Sequence, residues 1–277
     1  MNVAALDRTA CANCGRGLTG PYCGACGQKA ASPNPTIGDV VHELTHELLH
    51  VDGKIFRTIR LLIAAPGVLT AEQFAGRRAS YVSPIRLYLI CSVLFFAVSA
   101  LVPDVRMRVT VGARTSSGLS LQNDAERQSS PDRLRQLGFE SDDQLEAATN
   151  EAIAHWAPRV MFVLVPLFAA MIHLTVRRSG RNYPQQLYFA LHVHAAWFLC
   201  LAIAMAARLV PWPIVGRTAT VVALVAMLAY LALALRRAYA ITLTRALGRA
   251  LVVGVSYSVV LILALAAIAL PAVLLHR

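Results

Sequence analysis

Five long apolar segments limit what this chain can fold into more than any other feature of the sequence. Each is close to the roughly 17–25 residues that a helix needs to cross the hydrocarbon core of a bilayer. The chain is 57% hydrophobic and only 15% charged, which is far from the average soluble domain. The sequence therefore predicts an all-α integral membrane protein whose residues 85–277 form a five-span helix bundle. The predicted spans are Ile85–Val102, Val160–Val176, Leu187–Ala207, Thr218–Leu235 and Ala250–Leu275.

The arginines beside these spans predict the orientation of the bundle. The loop of residues 103–157 carries nine acidic residues and six arginines, and the connection after Ala207 carries only Arg208 and Arg217. Short loops rich in Lys and Arg stay in the cytoplasm. The sequence thus predicts a cytoplasmic N-terminus and an external C-terminus. The basic residues on the predicted cytoplasmic side are Arg77, Arg78, Arg86, Arg177, Arg178, Arg181, Arg236, Arg237, Arg245 and Arg249.

The external loop of residues 103–157 is expected to be helical in its second half. Ser141 suits an N-cap, Asp142 and Asp143 suit a first helical turn, and apolar residues then recur at helical spacing as far as Trp156. We see no pattern of catalytic residues in this loop, and a solvated connection is its simplest interpretation.

Four N-terminal cysteines form the strongest site pattern in the chain. Cys11, Cys14, Cys23 and Cys26 follow C-x2-C-x8-C-x2-C, with a glycine after each pair. Two such turns supply the four thiolates of a closed, structural zinc site. Disulfides and a redox pair are the alternatives. A cytoplasmic location disfavours stable disulfides, and two matched pairs are more than a redox motif needs. Residues 1–31 are therefore predicted to be a zinc ribbon that holds one structural Zn²⁺ and needs it to fold.

The segment HELTHELLH, residues 42–50, contains the pattern H-E-x-x-H twice. In metalloproteases this pattern supplies two zinc ligands and a general base. Here these would be His42, His46 and Glu43, and Glu72 is the best available third ligand. However, apolar residues from 37 to 51 recur at helical spacing and place the histidines on the opposite face. The glycine and third histidine of the extended metzincin pattern are also missing. An amphipathic helix is favoured, and the peptidase stays an alternative.

Residues 32–84 are predicted to be cytoplasmic amphipathic helices at the membrane surface. After the helix over residues 36–51, a second helix ends at Pro66 and Gly67. Thr70 and Gln73 have the spacing of a capping box, which would open a short third helix. The second helix combines an apolar face with basic residues that suit lipid phosphates. That face comprises Ile55, Phe56, Ile59, Leu62 and Ile63, and the basic residues are Lys54, Arg57 and Arg60.

Three histidines fall inside predicted spans, where ionisable residues are costly and mark candidate functional sites. His192 and His194 lie in the third span, and His173 lies near the cytoplasmic end of the second. Side chains two positions apart on a helix point in nearly opposite directions, so His192 and His194 cannot face one site. One of them would pair with His173 to bind a metal or relay protons. The alternative, which we favour, is hydrogen bonding between helices.

Several motifs together resemble a known family. They are CANCGRGLTGPYCGACGQ, HVDGKIFRTIRLLIAAPG, GRRASYVSP and FALHVHAAWF, and they run from Cys11 to Phe198. This combination is similar to a family of uncharacterised bacterial multi-pass membrane proteins, classed as a domain of unknown function, with an N-terminal zinc ribbon. The resemblance implies an architecture in the bacterial inner membrane and no assigned activity.

Three functions fit these patterns. The favoured one is a non-enzymatic adaptor, assembly factor or regulator that presents the ribbon to a protein partner in the cytoplasm. The second is a small transporter or channel-like protein that uses the intramembrane histidines, for which five spans would need a homo-oligomer or broken helices. The third is the metalloprotease. Nucleic-acid binding is disfavoured because the ribbon carries only Arg8, Arg16 and Lys29 as basic residues.

Overall fold

The structure is a computed structural model that describes residues 10–30, 35–40, 53–101, 142–210 and 212–274. In this part of the chain the regular structure is helical, and five helices are long and apolar enough to cross a membrane. The predicted fold class, an all-α chain with five apolar spans, is therefore confirmed. The helices are α1 (Lys54–Ala64), α2 (Val68–Phe74), α3 (Pro84–Leu101), α4 (Asp142–Thr175), α5 (Tyr183–Ala206), α6 (Pro213–Ala238) and α7 (Leu243–Leu274).

Helix α4 is longer than the second predicted span. It begins at Asp142, within the predicted external loop, and continues without a break to Thr175. The helical pattern predicted after Ser141 and the apolar span from Val160 thus belong to one helix. Its apolar part is Ala147–Thr175. In the sequence the polar and apolar patterns looked like two separate elements. They form one helix because the side chains change from polar to apolar along it while the backbone stays helical.

The chain divides into two compact units, one of Met1–Leu101 and Val165–Tyr257 and the other of Val102–Leu164 and Ser258–Arg277. In the second unit, the guanidinium of Arg159 lies over the ring of Trp156 at 5.4 Å. Arg159 also donates to the carbonyl oxygen of His155 at 2.5 Å. This contact places an arginine beside a half-exposed tryptophan, a pairing suited to a membrane–water interface.

Helix α5 is the central helix of the first unit. Asn182 and Gln185 form a capping box at its start, with Pro184 in the first turn. In the most apolar stretch of α5, 72% of the residues are buried inside the protein, whereas 11% are buried in that of α7. It packs most extensively against α3 and α6, and the rings of Tyr88 and Phe95 in α3 contact Phe198.

Helices α1 and α2 form a hairpin that packs against α5 and α6. Gly67, at the turn between them, has φ +83° and lies against the backbone of Ala234 in α6. Tyr230 donates to the carbonyl oxygen of Leu62 at 3.0 Å, and Arg237 donates to that of Pro66 at 3.2 Å. The α1–α2 hairpin is therefore hydrogen-bonded to the C-terminal part of α6.

The predicted capping box at Thr70 and Gln73 is wrong. Helix α2 begins at Val68, so both residues lie inside it, and its N-cap is Gly67 with no side-chain cap bond. Both side chains are buried, and the Thr70 hydroxyl lies 3.0 Å from Nδ1 of His192 in α5. The Thr70 hydroxyl, which the sequence pattern assigned to a helix cap, instead makes a tertiary contact with His192.

Candidate metal centre

The two cysteine pairs adopt the same backbone turn. The N–H of Cys11 donates to the carbonyl of Arg16 at 2.7 Å, and that of Cys23 donates to Gln28 at 2.9 Å. Within each turn a glycine N–H returns to the first cysteine carbonyl, from Gly15 and from Gly27, both at 2.8 Å. These glycines have φ +76° and +72°, the left-handed region that glycine adopts without steric cost. The repeated C-x-x-C-G sequence therefore builds two matched turns.

The four sulfurs converge at one point. All four Sγ atoms lie within 4.8 Å of one another. Cys11 and Cys26 are 3.6 Å apart and Cys14 and Cys23 are 3.5 Å apart, measured between sulfurs. A tetrahedron with metal–sulfur bonds of about 2.3 Å has edges of about 3.8 Å. The cluster thus fits a tetrahedral metal ion, and these separations are far longer than the roughly 2.05 Å of a disulfide bond.

The backbone of each turn favours the thiolate form of its first cysteine. Hydrogen bonds from the backbone of Cys26 and Ala25 lower the pKa of Cys23 to about 6. The equivalent bonds from Cys14 and Asn13 lower the pKa of Cys11. At Cys14 a hydrogen bond from the backbone of Arg16 lowers the pKa, but the neighbouring sulfurs and burial outweigh it and raise the value to about 11. Four clustered thiols cannot all lose their protons unless a cation compensates the charge, which a divalent metal would do.

A four-thiolate site is closed. Its ligands fill the tetrahedron and leave no position for water or substrate, so a metal held there would stabilise the ribbon fold instead of taking part in a reaction. Between residues 10 and 30 the ribbon has no helix, and its two antiparallel bridges, Ala10 with Gly17 and Tyr22 with Lys29, are isolated. A segment with so little hydrogen bonding of its own depends on the cross-link for its shape.

Gln28 attaches the ribbon to the rest of the first unit. Its Nε2 donates to the carbonyl of Gly76 at 2.8 Å, and its Oε1 accepts from the N–H groups of Arg78 and Ala79, both at 2.9 Å. Ser80 adds a hydroxyl bond to Oδ1 of Asn13 at 3.1 Å. The ribbon is therefore held on the segment 76–80 that leads into the first spanning helix.

The three predicted intramembrane histidines have separate surroundings. His192 meets Thr70, as described above. In His194, Nδ1 lies 2.8 Å from the carbonyl of Ala190 and Nε2 lies 2.9 Å from the hydroxyl of Tyr257. His173 packs edge-on against Tyr183, and its buried Nδ1 has no partner within the described residues. Among those residues, the four cysteines are the cluster with metal-binding geometry.

His194 sits in an aromatic cluster built from three helices. Phe168 of α4, Trp197 of α5 and Tyr257 of α7 each place a ring within 5.5 Å of the imidazole centroid. The carbonyl bond makes Nδ1 the protonated nitrogen, so Nε2 accepts from Tyr257. Both ring nitrogens thus have partners, and the arrangement joins α5 to α7 as a hydrogen bond between helices would.

The peptidase residues His42, Glu43 and His46 lie outside the described residues. Glu72, the candidate third ligand, is described, and both of its carboxylate oxygens accept from Arg77, at 2.5 Å and 2.6 Å. This hydrogen-bonded ion pair lowers the pKa of Glu72. In this conformation the carboxylate is held by arginine.

Sequence reasoning missed Gln28 and Tyr257 as hydrogen-bonding residues. Gln28 carried a weak signal, because it directly follows the second C-x-x-C-G turn in a motif of the family resemblance. Tyr257 carried none, since its partner is 63 positions away along the chain and neither residue belongs to a periodic pattern.

Comparisons with known proteins give one match. No curated protein and no solved structure matches the chain significantly. A family model matches the segment from residue 52 into the first spanning helix, which covers the α1–α2 hairpin and segment 76–80 but not the four clustered cysteines. Residues 52–96 contain the domain of a family described as a protein of unknown function, DUF3667.

Proposed function

We propose that this chain is a bacterial inner-membrane protein that holds one structural zinc ion on its cysteine cluster. It presents the ribbon to the cytoplasm as a non-enzymatic adaptor, assembly factor or regulator. The observation that carries the proposal is a closed four-cysteine cluster attached by Gln28 to the segment that enters the first span. A domain fixed in this way has a constant position relative to the membrane, which is what a docking platform requires.

The donor set supports zinc as the metal. Tetrahedral sites of four thiolates hold Zn²⁺ or iron, and the inferred purpose here is to cross-link a short segment. Zn²⁺ has no redox chemistry and no geometric preference of its own, so it suits a purely structural role.

The surface of the ribbon supports binding to a protein. Tyr22 is 58% exposed, and exposed aromatic residues are enriched at protein interfaces. Basic residues are few in the ribbon, which argues against a phosphate-binding surface for nucleic acid. We find no observation that favours transport or proteolysis over this function.

Metal analysis of the detergent-purified protein tests the proposed site. We expect one zinc and no iron per chain, lost completely in the Cys11→Ser/Cys14→Ser/Cys23→Ser/Cys26→Ser variant. The control is Cys200→Ser, whose sulfur faces the carbonyl of Ala223 and whose serine would keep that contact. Zinc that survives the quadruple substitution would place the metal elsewhere and contradict the proposal.

Proximity labelling in cells tests the adaptor role. We expect the wild type and Cys200→Ser to label a common partner protein. Cys11→Ser/Cys26→Ser, present in the membrane at equal abundance, should no longer label it. If the same neighbours are labelled whether or not the ribbon holds metal, the ribbon does not recruit a partner and the adaptor role is rejected.

A further inference from the structure

Helix α1 exposes an apolar face although its other side is packed. Thr58 and Leu62 are fully buried, whereas Phe56 is 82% and Ile63 is 56% exposed. Phe56 and Ile63 are seven positions apart, so they lie on the same face of the helix. Arg60 is exposed beside this face, Arg57 is exposed about 100° around the helix from Phe56, and Lys54 is exposed at the start of the helix, which contains no acidic residue.

The middle of α1 lies at the level where the first span begins. The hydroxyl of Thr58 accepts from the N–H of Val82 at 3.1 Å, and α3 starts shortly afterwards at Pro84. Arg57 also places its guanidinium over the ring of Tyr81 at 5.6 Å. Since α3 has 18 residues, about the minimum for crossing the hydrocarbon core, its first residue marks the membrane surface.

Helix α5 gives an independent measure of this level. Tyr88, in the second turn of α3, contacts Phe198 in the C-terminal half of α5 with ring centroids 5.7 Å apart. The two helices are separated by one intervening span, so they cross the bilayer in the same direction. The N-terminal part of α5 therefore extends beyond the start of α3 on the side of the membrane where α3 begins, and the α1–α2 hairpin packs in this layer. His192, bonded to Thr70, lies near the membrane surface on this basis.

We propose that α1 lies in the plane of the membrane surface and binds the headgroups of anionic phospholipids. Phe56 and Ile63 enter the boundary between headgroups and acyl chains, while Arg57 and Arg60 contact lipid phosphates and Lys54 adds to the positive charge at the start of the helix. The assignment needs only that the five helices span a bilayer, and it holds whichever side the ribbon faces. It goes beyond the proposed function because it concerns lipid bound by α1 and not the metal or a partner of the ribbon.

The charge of this face favours lipid over a second copy of the chain. Two copies of α1 meeting face to face would bring only positive side chains together, because α1 has no carboxylate to pair with them. A layer of anionic headgroups supplies the opposite charge and covers the exposed apolar residues at the same time.

Lipid titration followed by native mass spectrometry of the full-length protein tests the charge contribution. We expect Arg60→Gln to weaken retention of phosphatidylglycerol about fivefold, the effect of one basic residue near an anionic surface, and Arg60→Lys to restore most of it. Arg16→Gln removes the same charge from the ribbon and should leave retention unchanged. Equal retention by Arg60→Gln and the wild type, or equal retention of phosphatidylcholine and phosphatidylglycerol, would reject the site.

Photocrosslinking tests the apolar contact. With p-benzoylphenylalanine in place of Phe56, reconstituted protein should form adducts with phosphatidylglycerol. The same residue in place of Tyr22, an aromatic position on the ribbon that is 58% exposed, should not. Adducts at position 56 that link two copies of the chain, or that form with another protein, would overturn the lipid assignment.

Discussion

At the scale of single residues, the cysteines were predictable and their attachment was not. The spacing of Cys11, Cys14, Cys23 and Cys26 is a local pattern, because each pair builds its own turn and four thiolates have one common geometry around a metal. Gln28 bonds to a segment about fifty positions away, through one carbonyl and two N–H groups. No periodicity or spacing in the sequence encodes such a pairing.

Gln28→Ala is expected to release the ribbon from segment 76–80 without removing its metal. The substitution removes the side-chain Oε1, which accepts from two backbone N–H groups. It also removes Nε2, which donates to a backbone carbonyl. Three hydrogen bonds of about 0.5–1.5 kcal/mol each predict a loss of about 1.5–4.5 kcal/mol in the protection of this segment. The backbone carbonyl of Gln28, which accepts from Cys23, is retained, so zinc content should stay unchanged.

Hydrogen exchange read by mass spectrometry measures this effect at the N–H groups of Arg78 and Ala79. Ser80→Ala is the matched control, because it removes a single hydrogen bond to Asn13 and should cause a smaller increase in exchange. Unchanged exchange in Gln28→Ala would mean that the contact does not hold the ribbon in solution.

At the scale of helices, composition predicted which segments are helical better than it predicted where each helix begins and ends. A run of apolar residues long enough to span a bilayer has few alternatives to a helix, since backbone groups must be satisfied within the segment. The ends depend on contacts instead. Helix α4 starts at Asp142, so that its polar first half is helical too, and α2 starts at Val68, with Thr70 inside the helix and bonded to His192.

The turn between α1 and α2 should tolerate no side chain at Gly67. Its φ of +83° is strained for any other residue, and an added Cβ would lie 2.6 Å from the carbonyl oxygen of Ala234. The conformational strain costs about 1–2 kcal/mol and overpacking about 1–3 kcal/mol more. Gly67→Ala should therefore destabilise the protein by about 2–5 kcal/mol.

Gly180→Ala provides the comparison for this prediction. Gly180 has φ +68° but nothing within 4 Å of an added Cβ, so only the strain of about 1–2 kcal/mol remains. Thermal unfolding of the two variants in the same detergent separates strain from close packing. If both unfold at the same temperature, α1–α2 is not packed against α6 as closely as the structure shows.

At the scale of the whole molecule, the spans follow from composition, whereas the predicted orientation rests on charge alone. The orientation is predicted from the basic residues in the loops between the spans. The described connection of residues 177–181, for example, has three arginines. Orientation in turn decides the chemistry of the ribbon. Thiols persist in a reducing cytoplasm, whereas an oxidising compartment would convert the same four cysteines to disulfides.

Cysteine labelling in intact cells tests this link between orientation and metal site. Trp212→Cys and Ser179→Cys place thiols at exposed positions in consecutive connections, which the arginine distribution assigns to opposite sides. A membrane-impermeant maleimide should label Trp212→Cys in intact cells and Ser179→Cys only after lysis, each measured against the unsubstituted protein. The reverse pattern would place the ribbon outside the cytoplasm. In an oxidising compartment the four cysteines would form disulfides and would not bind zinc. A reversed labelling pattern should therefore be accompanied by loss of zinc from the purified protein.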